Sequence, residues 1–446
     1  MISISTIEEL QLIGNDVAYP LSGDYEITQN IDASGTATWN GGEGFEPIAG
    51  HDPFTGTLDG KGYSIDGLVI NRPSDSYIGL IDEFTGTIID LHLTNVDIHG
   101  DDTVGSLVSE MSGGTIFGCS ASGTVHSAWG DTGGLVSWCW DGTIEDSYST
   151  CSVTSDNGNL VGGFAGDIGD AAIVRKCYST GDVIAAWSEV GGFIGRVYGD
   201  GSTTIEQCYA AGNVTSDTGS ADVGGFVGRI DECIISKCYA SGDVSAAIGV
   251  YVGGFIGESY LDTISDCYAI GSVSGDESVG GFVGEPCDDT ITNCYSTGAV
   301  SGNVNVGGFI GNEYTAGGIY SCIITSCYWD TQTSGQALSD GATAKTTTQM
   351  KQEATFSGWN FSTIWEMVET MTYPLFSASY SLEIEVRNLG IYCKSADIDI
   401  SLDGNGFSLA VYALTAKTPG EFRSYSFSEP LLLSNSVISA ATLSDT

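Results

Sequence analysis

The sequence predicts an all-β protein whose main body is a parallel β-helix, a solenoid in which each turn of chain stacks on the turn before it. Three observations lead to this prediction: one motif recurs at a nearly fixed spacing, its second half alternates strictly, and its composition disfavours helices. Every copy contains several glycines, which destabilise helices, and many β-branched residues, which favour strands. A unit of this size buries its apolar face only by stacking on its neighbours.

The repeat reads "VGGFIGESYLDTISDCYAIGSVSG" in the copy that starts at Val252. The first glycine of successive copies advances by 28, 29, 29, 33, 29, 27 and 27 residues, and a weaker copy starts one step upstream at Tyr77. This spacing predicts coils of 27–33 residues. The glycines are Gly105, Gly133, Gly162, Gly191, Gly224, Gly253, Gly280 and Gly307.

Alternation within the repeat predicts which side chains face the interior. In "CYAIGSV" (267–273) the cysteine, alanine, glycine and valine share one parity, so they lie on one face of an extended strand, which we expect to point inward. An isoleucine three positions before the cysteine breaks this parity, so we expect a bend between the two. Phe193 and Ile194 have opposite parities although both are apolar, which predicts that another part of an assembly covers one of their faces.

The ends of the chain differ from the repeats, as the open edges of a solenoid require. Thr6 and Glu9 form a capping-box pattern that predicts a short helix as a lid. Aromatic residues follow the last repeat, and the final segments alternate like a small antiparallel β domain, which could serve for attachment or oligomerisation. The predicted divisions are an N-terminal cap at 1–18, the solenoid at 19–330 with regular repeats at 104–330, a closing cap at 331–380 and the C-terminal β domain at 381–446.

The chain of 446 residues has 57 acidic and 13 basic side chains, so its net charge is −44. Such a surface repels nucleic acid and anionic membranes. No apolar run approaches the roughly 20 residues that span a bilayer, and the first residues lack the basic and apolar regions of a signal peptide. We therefore expect no nucleic-acid partner and no insertion into a membrane.

The pattern "VGGFxG" followed by "I-x-x-C-Y-[AS]-x-G-x-V" resembles the GLUG-motif repeat of large surface and secreted proteins. The likeness extends to 44–70, which is similar to the opening segment of such arrays, and to 326–336, which is similar to their closing segment. The resemblance implies a β-solenoid used in adhesion and display, with no active site carried by the motif. The chain departs from the pattern at Ser147 and at Cys119–Ser120, and the resemblance does not extend to residues 381–446.

Seven cysteines occupy one repeat position and are expected to form a column. Neighbouring coils would bring their Cα atoms within disulfide range, but equivalent side chains point in parallel, which favours buried free thiols that fill the interior. The spacing of cysteines and histidines does not match a zinc site. The seven are Cys119, Cys177, Cys208, Cys238, Cys267, Cys294 and Cys327.

Seven tyrosines follow this position or its serine equivalent and are expected to form a ladder on the outward face. Intramolecular stacking and an aromatic stripe for a sugar or protein partner explain them equally well. They are Tyr148, Tyr178, Tyr209, Tyr239, Tyr268, Tyr295 and Tyr328.

Calcium is the one metal that the sequence suggests, at the acidic turns 198–202 and 402–406, although Asp and Gly are also ordinary turn residues. No cofactor is required. Catalysis has little support, because the four histidines lie in no known motif and acidic pairs such as Asp101–Asp102 and Asp288–Asp289 are too common to be informative. We name no catalytic residue. An enzyme of this fold would need two or three carboxylates that converge beside a cation.

These observations predict a non-enzymatic structural or adhesive protein displayed on an extracellular surface. Export without a leader favours a virion component, such as a tail fibre, spike or decoration protein, and a layer, sheath or adhesin on the exterior of a cell envelope is the first alternative. A glycan-degrading β-helix is the second alternative. The expected partners are identical subunits, other proteins of the particle or surface layer, and a glycan or protein of a host surface.

Overall fold

The structure is a computed structural model that describes residues 1–50, 52–187, 189–216, 222–319 and 321–377, together with five short strands within 384–445. It is an all-β parallel solenoid, which confirms the predicted fold class. Residues Met1–Leu375 form one compact unit and Phe376–Thr446 a second. Each regular coil contributes strands, in chain order, to four parallel sheets, which we number 1 to 4.

The strand bounds show how closely the coils repeat. Sheet 1 contains Val104–Gly105, Thr132–Gly133, Leu160–Gly162, Glu189–Gly191, Asp222–Gly224, Tyr251–Gly253, Glu277–Gly280 and Val304–Gly307. Sheet 2 contains Ile81–Phe84, Val108–Ser112, Val136–Trp140, Ala165–Gly169, Ile194–Tyr198, Val227–Asp231, Ile256–Tyr260 and Val283–Cys287.

Sheets 3 and 4 complete each coil. Sheet 3 contains Ile2–Ile4, Asp24–Ile27, Thr57–Asp59, Thr87–Ile89, Thr115–Phe117, Thr143–Glu145, Ile173–Arg175, Thr204–Glu206, Ile234–Ser236, Thr263–Ser265, Thr290–Thr292 and Ile323–Thr325. Sheet 4 contains Ile31–Asp32, Ser64–Asp66, Val69–Arg72, His92–Gly100, Ser120–Trp129, Tyr148–Ser149, Ser152–Asn157, Tyr178–Ser179, Val183–Ala185, Tyr209–Ala210, Val214–Ser216, Tyr239–Ala240, Val244–Ala246, Tyr268–Ala269, Val273–Ser274, Tyr295–Ser296, Val300–Ser301, Tyr328–Asp330 and Thr343–Lys345.

Helices are short and lie near the ends of the solenoid. The Thr6 hydroxyl accepts from the Glu9 N–H at 3.2 Å and the Glu9 carboxylate accepts from the Ser5 N–H at 2.7 Å, so the predicted helical cap forms as a single turn. The α-helices are Ile7–Leu10, Thr331–Ser334 and Thr347–Met350, and the 3₁₀ helices are Ser34–Gly42 and Glu353–Thr355.

The two consecutive glycines of the repeat are required by close approach of the backbone. A Cβ atom on Gly253 would lie 1.8 Å from the carbonyl oxygen of Ile256, and one on Gly254 would lie 2.3 Å from the carbonyl oxygen of Gly281 in the next coil. A side chain at Gly253 would therefore distort the turn within its own coil, and one at Gly254 would force adjacent coils apart.

The expected bend between the isoleucine and the cysteine is confirmed. The residue before the cysteine adopts a positive φ of 49° to 57° in the successive coils, which turns the chain from sheet 3 into sheet 4. These residues are Asp146, Lys176, Gln207, Lys237, Asp266, Asn293 and Ser326.

The expectation that an external partner covers Phe193 or Ile194 is wrong. Both side chains are fully buried in the same core. The chain turns at Gly192 and Phe193 between the strands Glu189–Gly191 and Ile194–Tyr198, so the alternation of one strand does not continue into the next. The phenylalanines of successive coils stack with ring centroids 4.7–5.0 Å apart from Phe164 to Phe309.

The predicted C-terminal β domain at 381–446 falls largely outside the described residues, and so does its proposed attachment role. The strands described there pair antiparallel. Ile384–Arg387 pairs with Gly390–Cys393, Gly390–Cys393 with Asp399–Ser401, and Tyr425–Phe427 with Leu443–Asp445.

Candidate functional site

The cysteine column is a ladder of hydrogen bonds inside the solenoid. The Cys208 N–H donates to the Cys238 sulfur at 3.4 Å, and the Cys238 thiol donates to the Ser236 carbonyl at 3.2 Å. The twelve cysteines that the structure describes are all free thiols, and eleven of them are buried. Burial raises the pKa of Cys238 well above its usual value, so Cys238 does not present a reactive thiolate.

Ser147 departs from the repeat pattern in sequence but keeps its interactions. The Cys119 N–H donates to the Ser147 hydroxyl at 3.1 Å, and this hydroxyl donates to the Glu145 carbonyl at 2.8 Å. The position therefore selects a small side chain that both donates and accepts a hydrogen bond.

The tyrosines form a continuous stack from Tyr148 to Tyr295. Successive rings are 4.6–5.1 Å apart and within 9° of parallel. The first four rings are half-buried, whereas Tyr268, Tyr295 and Tyr328 are buried. The segment after residue 355 covers the last three, since Tyr295 donates its hydroxyl proton to the Pro374 carbonyl at 2.5 Å and Trp359 lies against Tyr328. These last rungs thus face the closing segment and not solvent.

The acidic turn at 198–202 is held by its own side chains. The Asp200 carboxylate accepts from the Ser202 N–H at 3.2 Å and from the Ser202 hydroxyl at 2.5 Å, as in an ordinary Asp turn. The turn at 402–406 lies outside the described residues. Among the residues that the structure describes, no three His, Cys, Asp or Glu side chains are grouped so that they could hold a metal ion.

The charged and aromatic side chains best placed for binding or chemistry lie on the outer face of sheet 2, at variable positions of the repeat. Arg196 and Tyr198 reach solvent, whereas Val197 between them is fully buried. The residue after the third-glycine position of each repeat, which is held by Asp82, Ser109 and Ser137 in the first three coils, forms what we call the charged column, whose rungs pair in register on adjacent strands. Its rungs are Trp138, Asp167, Arg196, Arg229, Glu258 and Glu285, and Glu83 and Glu110 continue it upstream.

An aromatic column runs beside the charged column, two residues further along each strand. Trp140, Tyr198 and Tyr260 are separated in register by Gly169 and Asp231, so an aromatic ring occurs at every second coil. Tyr314 continues the series, because its N–H donates to the Pro286 carbonyl one coil before. We call Trp140, Tyr198, Tyr260 and Tyr314 the aromatic column. The exposed fractions of Trp140, Tyr198 and Tyr314 are 45%, 58% and 48%.

Two arginines of the charged column pair with neighbouring carboxylates. Arg196 makes a bidentate contact with Asp167 at 3.2 and 2.7 Å. Arg229 makes a bidentate contact with Asp231 at 2.9 and 3.1 Å, and its third nitrogen donates to Glu258 at 2.8 Å. These fork-shaped pairs hold the carboxylates in fixed positions.

Asp222, the first residue of its strand in sheet 1, lies behind Glu258. Its side chain is 2% exposed, and no donor among the described residues reaches its Oδ1 atom. Burial, followed by the charges of Glu258 and Glu189, raises the pKa of Asp222 to about 9. Two carboxyl groups can share a hydrogen bond only when one is protonated. Asp222 is therefore protonated at neutral pH and donates the hydrogen bond to Glu258.

A depression of about 210 Å³ opens at this point of the face. Glu258 and Glu285 line it from neighbouring coils, and Asn312 donates to Glu285 at 2.7 Å. Burial raises the pKa of both glutamates, opposed at Glu258 by Arg229 and at Glu285 by Asn312. The remaining lining residues are Arg229, Tyr260, Cys287 and Tyr314.

Sequence reasoning stated the requirement for such a site, converging carboxylates beside a cation, but did not find its residues. They occupy the variable positions of the repeat, and their proximity depends on the register between coils. Aligning the repeats under one another and reading the position after the third glycine would have shown the run Asp167, Arg196, Arg229, Glu258 and Glu285.

Four copies of the GLUG motif occur at 188–215, 219–245, 248–274 and 275–301, which confirms the resemblance seen in the sequence. Halomucin of Haloquadratum walsbyi is 37% identical over 237 residues, which are 51% of this chain and 2% of that protein. The immunoglobulin A1 protease of Streptococcus pneumoniae serotype 4 is 29% identical over 203 residues, which are 44% of this chain and 8% of that protein. The chain thus spans a small part of the length of either relative.

Two solved structures are similar to this chain over most of its length. A candidate immunoglobulin A1 protease from Bacteroides ovatus superposes with a TM-score of 0.43 at 16% identity, over 85% of this chain and 92% of that one. An IgA1 protease gives a TM-score of 0.40 at 18% identity, over 86% of this chain and 26% of that one. At these identities the likeness concerns the fold alone.

The comparisons correct the expectation that this protein is not an enzyme. That expectation is contradicted because the pneumococcal relative, which is similar to nearly half of the chain, is named a protease. The relatives support an extracellular surface protein, and none of them supports a virion. In the described part of the chain, no helix combines the length and the apolar character needed to span a bilayer.

Proposed function

We propose that this GLUG-repeat solenoid is displayed on an extracellular surface, where the outer face of sheet 2 binds a glycan chain lengthwise. One observation carries the proposal: the aromatic column places a ring at every second coil beside polar side chains that are fixed by ion pairs. Coils stack at about 4.8 Å, so the rings recur about every 9.6 Å. That distance is comparable with the length of a disaccharide unit, so successive units of one chain could stack on successive rings.

The glycan class follows from charge. The net charge of −44 and the carboxylates of the charged column disfavour uronic acid polymers and sulfated polymers. Neutral hexose or N-acetylhexosamine polymers carry no charge to repel, and their hydroxyl and amide groups suit the carboxylates and guanidinium groups of this face. The apolar face of a sugar ring packs on exposed Trp and Tyr rings.

The setting of this activity is a cell envelope in our proposal, since the comparisons support an extracellular surface. A halomucin and a protease are similar to this chain over 2% and 8% of their lengths, which suits a module that several surface proteins carry. Regular repetition of weak contacts along one chain would give firm attachment through multivalency.

The test is affinity electrophoresis and calorimetry of the purified protein with a neutral glucan, an N-acetylhexosamine polymer and polygalacturonate. Trp140→Ala and Tyr198→Ala should each weaken binding of the neutral polymer about 5- to 10-fold, because each ring contributes about 1 kcal/mol. Trp129→Ala is the matched control, since Trp129 is 59% exposed on a strand of sheet 4. Equal losses in all three variants, or a preference for polygalacturonate, would refute the proposal.

A further inference from the structure

We propose that the depression between Glu258 and Glu285 hydrolyses the glycan, with Glu285 as general acid and Glu258 as nucleophile. This inference rests on the proposed binding function of the same face. It starts from two facts: both glutamates line one open depression, and the buried Asp222, which shares a hydrogen bond with Glu258, has an oxygen that no donor among the described residues reaches. Burying a carboxyl oxygen without a hydrogen-bond donor costs free energy, which indicates that the site uses the proton of the Asp222 carboxyl group.

The position of the two glutamates suits hydrolysis with retention of configuration. They pair in register on adjacent strands, so their Cα atoms are about 4.8 Å apart. Retaining glycosidases separate their carboxyl groups by about 5 Å, whereas inverting enzymes need roughly 6.5–9.5 Å to admit a water molecule. Equivalent side chains on adjacent parallel strands keep about the spacing of their Cα atoms, so the adjacent coils favour the retaining arrangement.

Their surroundings give the two glutamates different roles. Glu258 accepts one hydrogen bond from the Arg229 guanidinium at 2.8 Å and another from protonated Asp222. Both interactions stabilise Glu258 as a carboxylate. Glu285 is 8% exposed, and its hydrogen-bond partners among the described residues are Asn312, Tyr251 and Ser278, while Glu277 adds a negative charge. Burial raises the pKa of Glu285, the direction that a general acid requires, while the hydrogen bonds from Asn312, Tyr251 and Ser278 oppose that rise.

The reaction balances without a cofactor. Glu258 attacks the anomeric carbon to form a glycosyl ester while Glu285 donates its proton to the leaving glycosidic oxygen. The Glu285 carboxylate then takes a proton from water, whose oxygen attacks the anomeric carbon and releases Glu258. One glycosidic bond and one water molecule become two hydroxyl groups, and the new reducing end keeps its configuration.

Asp222 and Arg229 are positioning residues in this scheme, since they act through Glu258. The charged groups that face Asp222 are Glu258, Glu189 and Arg229, and those that face Glu258 also include Asp231 and Glu285. Asn at position 222 would donate to Glu258 as a protonated Asp does, whereas Ala would not.

The experiment measures new reducing ends after the full chain is incubated with each polymer that it binds. Glu258→Gln and Glu285→Gln should each lower the rate at least 100-fold with unchanged affinity. Glu145→Gln should leave the rate unchanged, because Glu145 makes an equivalent Glu–Arg pair with Arg175 on sheet 3, away from the depression. Proton NMR of the first product should show the retained anomer.

The pH profile separates positioning by Asp222 from a structural role. Asp222→Asn should keep the neutral rate and extend activity above pH 9, where the native Asp222 loses its proton, whereas Asp222→Ala should shift the acid limb to higher pH. A bound polymer that yields no reducing ends overturns the catalytic inference and leaves the binding proposal intact. Failure to bind any neutral polymer overturns both, and equal losses in Glu145→Gln and Glu285→Gln overturn the assignment of the site.

Discussion

A cysteine in this protein acts first as a hydrogen-bonding side chain. Its sulfur accepts the N–H of the previous coil and its thiol donates to a carbonyl two residues earlier, as Cys208 and Cys238 show. Ser147 fills the same role with an oxygen, which explains why a serine interrupts the column without interrupting the fold. These hydrogen bonds provide partners for the polar groups of a sharp turn, which would otherwise be buried without partners.

The first prediction concerns this column. Cys238→Ser should change the denaturant midpoint little, because a hydroxyl keeps both hydrogen bonds. Cys238→Ala should lower the free energy of unfolding by about 2–3 kcal/mol, since it leaves the Cys208 N–H without an acceptor and creates a small cavity. Urea denaturation followed by circular dichroism measures both, and an Ala variant as stable as the Ser variant would refute the ladder.

Alternation along the strand was enough to predict the cysteine column, and the structure indeed buries it. The hydrogen bonds could not be predicted, because they depend on how the chain turns at the positive φ of residues such as Lys237. The same limit applies to Glu258 and Asp222, which are 36 residues apart and meet only through the stacking of coils.

The closing segment after the last repeat caps the tyrosine stack. Trp365 is fully buried, its indole N–H donates to Asp266 at 3.1 Å, and its ring lies 6.1 Å from both Tyr268 and Tyr295. One tryptophan thus fastens the segment to two successive coils. The exposed edge of a parallel stack would otherwise be open to pairing with another chain.

The second prediction follows from this contact. Trp365→Ala should destabilise the protein by about 3–5 kcal/mol, because it empties a large buried site and removes one of the two side-chain donors to Asp266, the other being Asn293. Hydrogen exchange should quicken in the coils around Tyr268 and Tyr295 and stay slow near Phe164. Trp140→Ala is the control, since Trp140 is 45% exposed and its loss should hardly affect stability. Uniform quickening throughout the solenoid would contradict a local cap.

The regular repeat allowed the solenoid to be predicted from the sequence. The turn at Gly192 and the aromatic column do not follow the repeat pattern and were not predicted. The step between glycines gave the coil length, and parity gave the inward strand face. Parity failed at Phe193 and Ile194, because the turn at Gly192 resets the alternation. The aromatic column was missed because its members recur at every second coil and at a position that the motif leaves variable.

Acidic side chains dominate the whole protein and reach its interior. Asp262 and Asp289 are buried at the corner between sheets 2 and 3, where Asp289 accepts from the Asp262 N–H at 2.9 Å and from the Ser259 hydroxyl at 2.6 Å. These carboxyl groups satisfy backbone donors of the preceding coil. With a net charge of −44, each further ionisation opposes the compact state.

The third prediction is that stability falls as the pH rises. Burial raises the pKa of Asp131 and of Asp289 to about 7, against roughly 3.9 in an unfolded chain. The folded state therefore binds more protons between these values, so the stabilisation is complete below about pH 4 and is lost as the pH rises through about 7. At pH 8 the midpoint of thermal unfolding should lie several degrees below that at pH 5.

Salt and a matched pair of variants isolate this effect. In 1 M NaCl the Debye length is about 3 Å, so repulsion among surface carboxylates is screened and the buried groups dominate the pH dependence. Asp289→Asn should flatten the dependence, because a neutral amide cannot ionise in the corner, whereas Asp141→Asn, at an exposed turn, should leave it unchanged. If thermal scans in high salt show equal stability at pH 5 and pH 8, the buried carboxyl groups are ionised in the folded state and the proton assigned to Asp222 loses its basis as well.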